Sequence, residues 1–245
     1  MNDLDSRRAL LRGSLAAGVA LALPLPGAAK KNNAPKEKAE PEVTATEDLM
    51  REHGILRRIL LVYRETAPRL RTNAAEIDAA ALRDAALLFR AFGEEYHEKL
   101  LEEQHIFPVV RKRGGEAGAY ADVLQAQHRR GREITDYVLS ATRGGKLSAS
   151  AGGELAGVFE ALDRMYENHA AREDTIVFPA WKMAFTNKQL DEQGDRFEEI
   201  EKKMFGHDGF EDAEKKISGI EKTLGLADLA RFTAPPPPGA GARRP

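Results

Sequence analysis

His97-Glu98-Lys99-Leu100-Leu101-Glu102-Glu103-Gln104-His105-Ile106-Phe107-Pro108 is the stretch on which the reading of this chain turns. Further along, His169-Ala170-Ala171-Arg172-Glu173-Asp174-Thr175-Ile176-Val177-Phe178-Pro179 repeats its pattern. Aligned on Phe-Pro, Glu102 falls on Glu173 and Glu103 on Asp174. A lone histidine precedes each copy, His53 before the first and His128 before the second. The chain therefore reads His, then His…Glu, and again His, then His…Glu. The separations are 44 residues (53 to 97) and 41 residues (128 to 169).

The surrounding segments are rich in Ala, Leu, Glu, Arg and Lys, all strong helix formers. Apolar residues recur at three- and four-residue steps, as with Leu49, Leu56, Ile59 and Leu60. The pattern predicts a first helix opening near Thr44 and ended by Pro68, whose ring and missing N–H break helices. Further helices are expected from Asp78 to Lys112, from Glu116 to Ala141 and from Ser150 to Phe185, with Gly114-Gly115 and Gly144-Gly145 as breaks. Two shorter ones follow, Gln189 to Lys203 and Phe210 to Leu224. The expected fold is all-α: an antiparallel up-down four-helix bundle over residues 44–185 with a C-terminal helical extension over 186–232. Two such helix pairs related by a pseudo-twofold axis place four histidines and two glutamates in the middle of one bundle.

Composition narrows the chemistry. Among 245 residues there is no cysteine, which excludes disulfide scaffolds, thiolate zinc sites, iron–sulfur clusters and thiol nucleophiles. The formal net charge of −2 leaves no basic excess to neutralise phosphates, so no nucleic-acid partner is expected. At the N-terminus, Arg7-Arg8 precedes an apolar run from Gly13 to Pro26 and the small residues Gly27-Ala28-Ala29. That order reads as a secretory signal over residues 1–29. The run falls short of the roughly 20 residues that span a bilayer, so no stable membrane insertion is expected after cleavage. The signal resembles bacterial twin-arginine (Tat) peptides, with Leu10 where Phe is usual, and implies a periplasmic or otherwise exported protein. Residues 30–43 read as a polar linker, and 233–245 as a Pro/Gly-rich tail.

Imidazole and carboxylate together suit iron, manganese or zinc, and facing helices of a bundle supply such ligands symmetrically. Four-residue spacing puts His169 and Glu173 on one helix face. Between His97 and Glu102 the spacing is five, which a regular helix does not align. A π-bulge realigns them, and Pro108 leaves the carbonyl of Gln104 without its helical donor. Glu98 and His105 are the alternatives at this position; the Phe-Pro alignment selects Glu102. His207, in Phe205-Gly206-His207-Asp208-Gly209-Phe210, lies outside the repeat and reads as a turn residue.

Taken together, His53, His97, Glu102-Glu103, Phe107-Pro108, His128, His169, Glu173 and Phe178-Pro179 resemble the hemerythrin-like (HHE cation-binding) domain family over residues 44–185. Phe205-Gly206, Gly209-Phe210-Glu211, Ile220-Glu221 and Asp228-Leu229-Ala230 are similar to the tail of its exported bacterial members. The resemblance implies a non-haem di-iron centre. His53, His97, His128 and His169 would be terminal ligands, Glu102 and Glu173 bridges, and O2, peroxide or nitric oxide the small ligand. Oxygen-carrying members have a second histidine one turn after the third-helix one, where this chain has Arg132. The implied function is binding of O2 or a related small oxidant. The alternatives are a di-iron redox enzyme consuming peroxide or nitric oxide, or an iron-donating repair protein. A metal-free helical module that uses its own Pro-rich tail as a ligand for a partner is the remaining reading.

Overall fold

Leu49, His53, Leu56, Leu60, Tyr63, Ala67 and Leu70 follow one another at alternating steps of four and three residues, and all are buried on one stripe of helix α1 (Ala45–Asn73). A computed structural model describes residues 43–238, and every regular element among them is helical. The signal peptide and nearly all of the linker lie outside the described residues, as does the tail beyond 238.

Pro68 does not end α1. The helix runs on through it to Asn73, because Ala67 and Leu70 continue the buried stripe and packing outweighs the lost hydrogen bond. A short 3-10 turn, Ala74–Glu76, leads to the second rod. Asp78 caps it, its carboxylate accepting the Ala80 and Ala81 N–H groups. The rod comprises α2 (Ala79–Leu88), a π-helical stretch Phe89–Ile106, and α3 (Phe107–Arg113). Gly114, with φ +73°, breaks the chain in one residue before α4 (Gly115–Ala141). The fourth rod is α5 (Ala149–Arg172), capped by Ser148, then a π-helical turn Glu173–Val177 and α6 (Phe178–Lys182). Short connections make successive rods antiparallel neighbours, and α1 packs most extensively on α5. Their core contact includes Tyr63 stacked on Phe159 at 4.2 Å. Gly152 sits where α5 meets the end of α1: an added Cβ would lie 2.3 Å from the Ala74 Cβ.

Two further helices lie outside the bundle. A capping box of Thr186 and Gln189 opens α7 (Asn187–Phe205), and Asp208 caps α8 (Gly209–Leu224). Phe197 of α7 stacks on Trp181 at 5.7 Å. On α8, Glu221 accepts two hydrogen bonds from Arg58 of α1, at 2.9 and 2.6 Å. None of the helices among the described residues is long and apolar enough to cross a membrane.

Candidate metal centre

Each rod contributes one histidine. His53 comes from α1, His97 from the long π-helical stretch, His128 from α4 and His169 from α5, and all four are buried. The two glutamates join them. His97 Nε2 lies 3.3 Å from Glu102 Oε1, although the two residues are five apart. In a π-helix the repeat is i to i+5, so this spacing shares one face. The backbone N–H of Phe107 bonds the carbonyl of Glu102, the i−5 partner. Pro108, which has no N–H, follows where the ladder returns to α register. The second copy does the same: Phe178 N–H bonds the Glu173 carbonyl, and Pro179 follows. A whole π-helical stretch thus replaces the single bulge that the spacing required.

The contacts cross the bundle. Glu102 Oε2 is 3.3 Å from His128 Nε2, Glu173 Oε2 is 3.0 Å from His169 Nε2 and 3.5 Å from His53 Nε2. Ligand-bearing atoms of Glu102, His128, His169 and Glu173 converge in one group, and those of His53, His97 and Glu102 in another. Glu102 belongs to both. Neither Glu98 nor His105 takes its place. Glu98 accepts the Tyr166 hydroxyl at 2.7 Å and faces Arg132 at 3.4 Å. His105 is half-buried against Phe197, outside the cluster, and His207 is exposed and paired with Asp212 at 2.7 Å.

Behind the cluster every imidazole is held by its other nitrogen. Nδ1 of His53 meets Asp174 at 2.7 Å, of His97 Glu52 at 2.7 Å, of His128 Glu103 at 3.0 Å and of His169 Gln127 at 2.9 Å. Ionised carboxylates only accept, so Nδ1 is the donor and Nε2 faces inward. Twofold order governs these partners too. Glu103 and Asp174 each follow a cluster glutamate; Glu52 and Gln127 each precede the lone histidine of the other helix pair member. Arg57 and Arg132 stand four residues after His53 and His128, and bond Asp174 and Glu103 respectively. Phe107 and Phe178 lay their rings beside His128 and His53, at 5.4 and 5.3 Å. Glu52, Gln127 and Arg57 are not among the sequence candidates; they stand at matching offsets from the repeated histidines, but only the packing of the helices gives them partners.

The charges point to a cation. Both oxygens of Glu102, both of Glu173 and Nε2 of His97 are buried without a hydrogen-bond partner. Buried carboxylates without compensation are costly, and four such oxygens with an imidazole nitrogen at one point fit a metal ion. Protons otherwise take the cation's role. Burial opposes charge on His128, but Glu98, Glu102 and Glu103 outweigh it and raise its pKa to about 10. Its Nε2 then donates to His169 Nε2 at 3.1 Å, and burial with the facing His128 pushes His169 down to about 3. Burial and the nearby Glu102 carboxylate push Glu173 well above its ordinary range. Beside these atoms lies a small cavity whose lining includes Leu56, Leu60, Ala170, Glu98 and Tyr166 as well as the cluster residues other than His128. Gly131 leaves room for the Tyr166 hydroxyl, which an added Cβ would approach to 2.1 Å.

The comparisons with known proteins agree with this geometry. The hemerythrin HHE cation-binding domain family matches residues 44–181. Uncharacterized proteins of Mycobacterium bovis and Mycobacterium tuberculosis are 41% identical over 235 residues, covering 93% of this chain and 90% of theirs. No solved structure matches. The chain belongs to the hemerythrin HHE cation-binding family, and its buried His/Glu clusters are able to hold a metal.

Proposed function

We propose that this is a non-haem di-iron protein, exported through the Tat pathway, that binds O2 or a related small oxidant in the periplasm. The observation that carries the reading is the set of orphaned atoms on His97, Glu102 and Glu173, at the meeting point of four imidazole Nε2 atoms. Four histidines and two carboxylates give each of two ions a mixed nitrogen and oxygen set, which suits iron. His53 and His97 would hold one ion, His128 and His169 the other, with Glu102 and Glu173 between them. Ferrous iron, when held by these residues, would supply electrons to a small oxidant. The chain itself fixes the imidazoles through Nδ1, lines the cavity with the apolar side chains of Leu56, Leu60 and Ala170, and turns the Glu98 and Tyr166 pair toward it.

Anaerobic reconstitution of the mature chain with ferrous iron tests the reading. About two irons per chain, and a visible charge-transfer band that appears with O2 and leaves under argon, are expected. Metal well below one per chain would reject the centre; full loading without a reversible band would reject oxygen binding. A second reading, turnover of peroxide or nitric oxide, is favoured by Glu98 and Tyr166, polar groups in a cavity that storage of a neutral ligand does not require. Consumption of peroxide or nitric oxide faster than by free iron salts, lost in His97→Ala, would select it.

A further inference from the structure

The turn Phe205-Gly206-His207-Asp208-Gly209-Phe210 belongs to neither the repeat nor the matched family domain, yet its Phe205 packs on Tyr96, two hydrogen bonds away from His97. The Tyr96 ring, fully buried, meets Phe205 edge-on at 5.4 Å. Its hydroxyl donates to Glu52 Oε1 at 3.0 Å, and Glu52 Oε2 accepts from His97 Nδ1 at 2.7 Å. The other three histidines are held by bundle residues: Asp174 with Arg57, Glu103 with Arg132, and Gln127. We propose that Phe205 is a positioning residue of the metal centre, fixing the His97 imidazole through Tyr96 and Glu52. The inference rests on the metal-binding reading above.

The turn is built to hold that ring. Gly206, with φ +77°, ends α7 in the left-handed region. Asp208 caps α8, and the buried Glu201 accepts the Phe210 N–H at 2.9 Å. Gly209 lets the Phe205 ring lie against the start of α8, since an added Cβ would come within 2.3 Å of it. One side of the ring is thereby closed by the turn, and Tyr96 meets it as well. A tyrosine has two side-chain torsions, so fixing its ring fixes where its hydroxyl points. Meanwhile α7 is anchored independently by Phe197 on Trp181, and α8 by Arg58 and Glu221. Replacing Phe205 therefore does not release the extension.

The test is Co2+ titration of the full mature chain, reading affinity and the ligand-field absorption spectrum, beside thermal melting. Phe205→Ala and Gly209→Ala are expected to weaken Co2+ binding about tenfold, the low end for partners behind a ligand, and to move the bands in the direction Tyr96→Phe moves them. Phe205→Leu should restore part of the affinity. The double variant Phe205→Ala with Tyr96→Phe should bind no more weakly than Tyr96→Phe alone, because the two act in series. As a control, Glu221→Gln loosens α8 and lowers the melting temperature with the spectrum unchanged. Wild-type affinity and bands in Phe205→Ala, or additive effects in the double variant, overturn the positioning role. A wild-type chain that takes up no Co2+ overturns the metal reading itself, and the inference with it.

Discussion

Glu102 is the residue that two of the candidate ligand groups share. It faces His97 with one oxygen and His128 with the other, each at 3.3 Å, and is a member of both groups, whereas His53 is a member of one. Glu102→Gln should therefore lose most of both metals, whereas His53→Ala should lose about one of two; metal analysis after anaerobic reconstitution distinguishes them. Around these ligands, each imidazole is oriented by a group that only accepts or that presents its acceptor oxygen. Three carboxylates and one amide oxygen do this, and the pattern survives the change of residue from Glu103 to Asp174 across the repeat. His53, His97, His128, His169 and Glu173 were legible from order and spacing alone. Glu52 and Gln127 were not, because a polar residue beside a histidine on a helix ordinarily faces solvent; only the neighbouring helix turns it into a partner.

Helices supply the candidate ligands in pairs, and their irregularities matter more than their regular turns. The long π-helical stretch Phe89–Ile106 places residues five apart on one face, which reconciles the His97 to Glu102 spacing with the shorter His169 to Glu173 one. Both Phe-Pro pairs mark the return to α register, so the feature used to align the two copies also has a backbone cause. Pro68 shows the opposite: its local preference is to stop α1, and tertiary packing overrides it. The close approach of α5 to the end of α1 depends on Gly152, whose added Cβ would meet both Ala74 and the Leu70 carbonyl. Gly152→Ala is expected to destabilise the fold by about 1–3 kcal/mol, read by denaturant unfolding, since a rigid backbone contact has to open.

For the whole molecule, metal uptake and protons compete. With His128 raised to about 10 and His97 and Glu173 also raised, the metal-free chain holds protons that a metal must displace. Uptake at neutral pH should release protons, measurable with an indicator dye in weakly buffered solution, and affinity should rise with pH. The stability consequence has a definite sign. A histidine raised from about 6.5 to about 10 stabilises the metal-free fold fully below pH 6.5, and the gain is lost as pH rises through 10. Metal-loaded protein lacks that proton, so the melting-temperature gain on loading should widen across this window. At a hundredfold excess over Kd, binding adds about 2.7 kcal/mol, roughly 5–10 °C for a domain of this size.

Sequence by itself determined the all-helical class, the four-rod order and the repeated histidines and glutamates, because helix propensity, apolar period and ligand spacing are local properties of the chain. Tertiary structure decided the rest: that Glu102 rather than Glu98 or His105 faces the cluster, that α1 runs through Pro68, and that the C-terminal turn reaches Tyr96. Those outcomes depend on which groups are buried together, and burial is settled only when the helices pack.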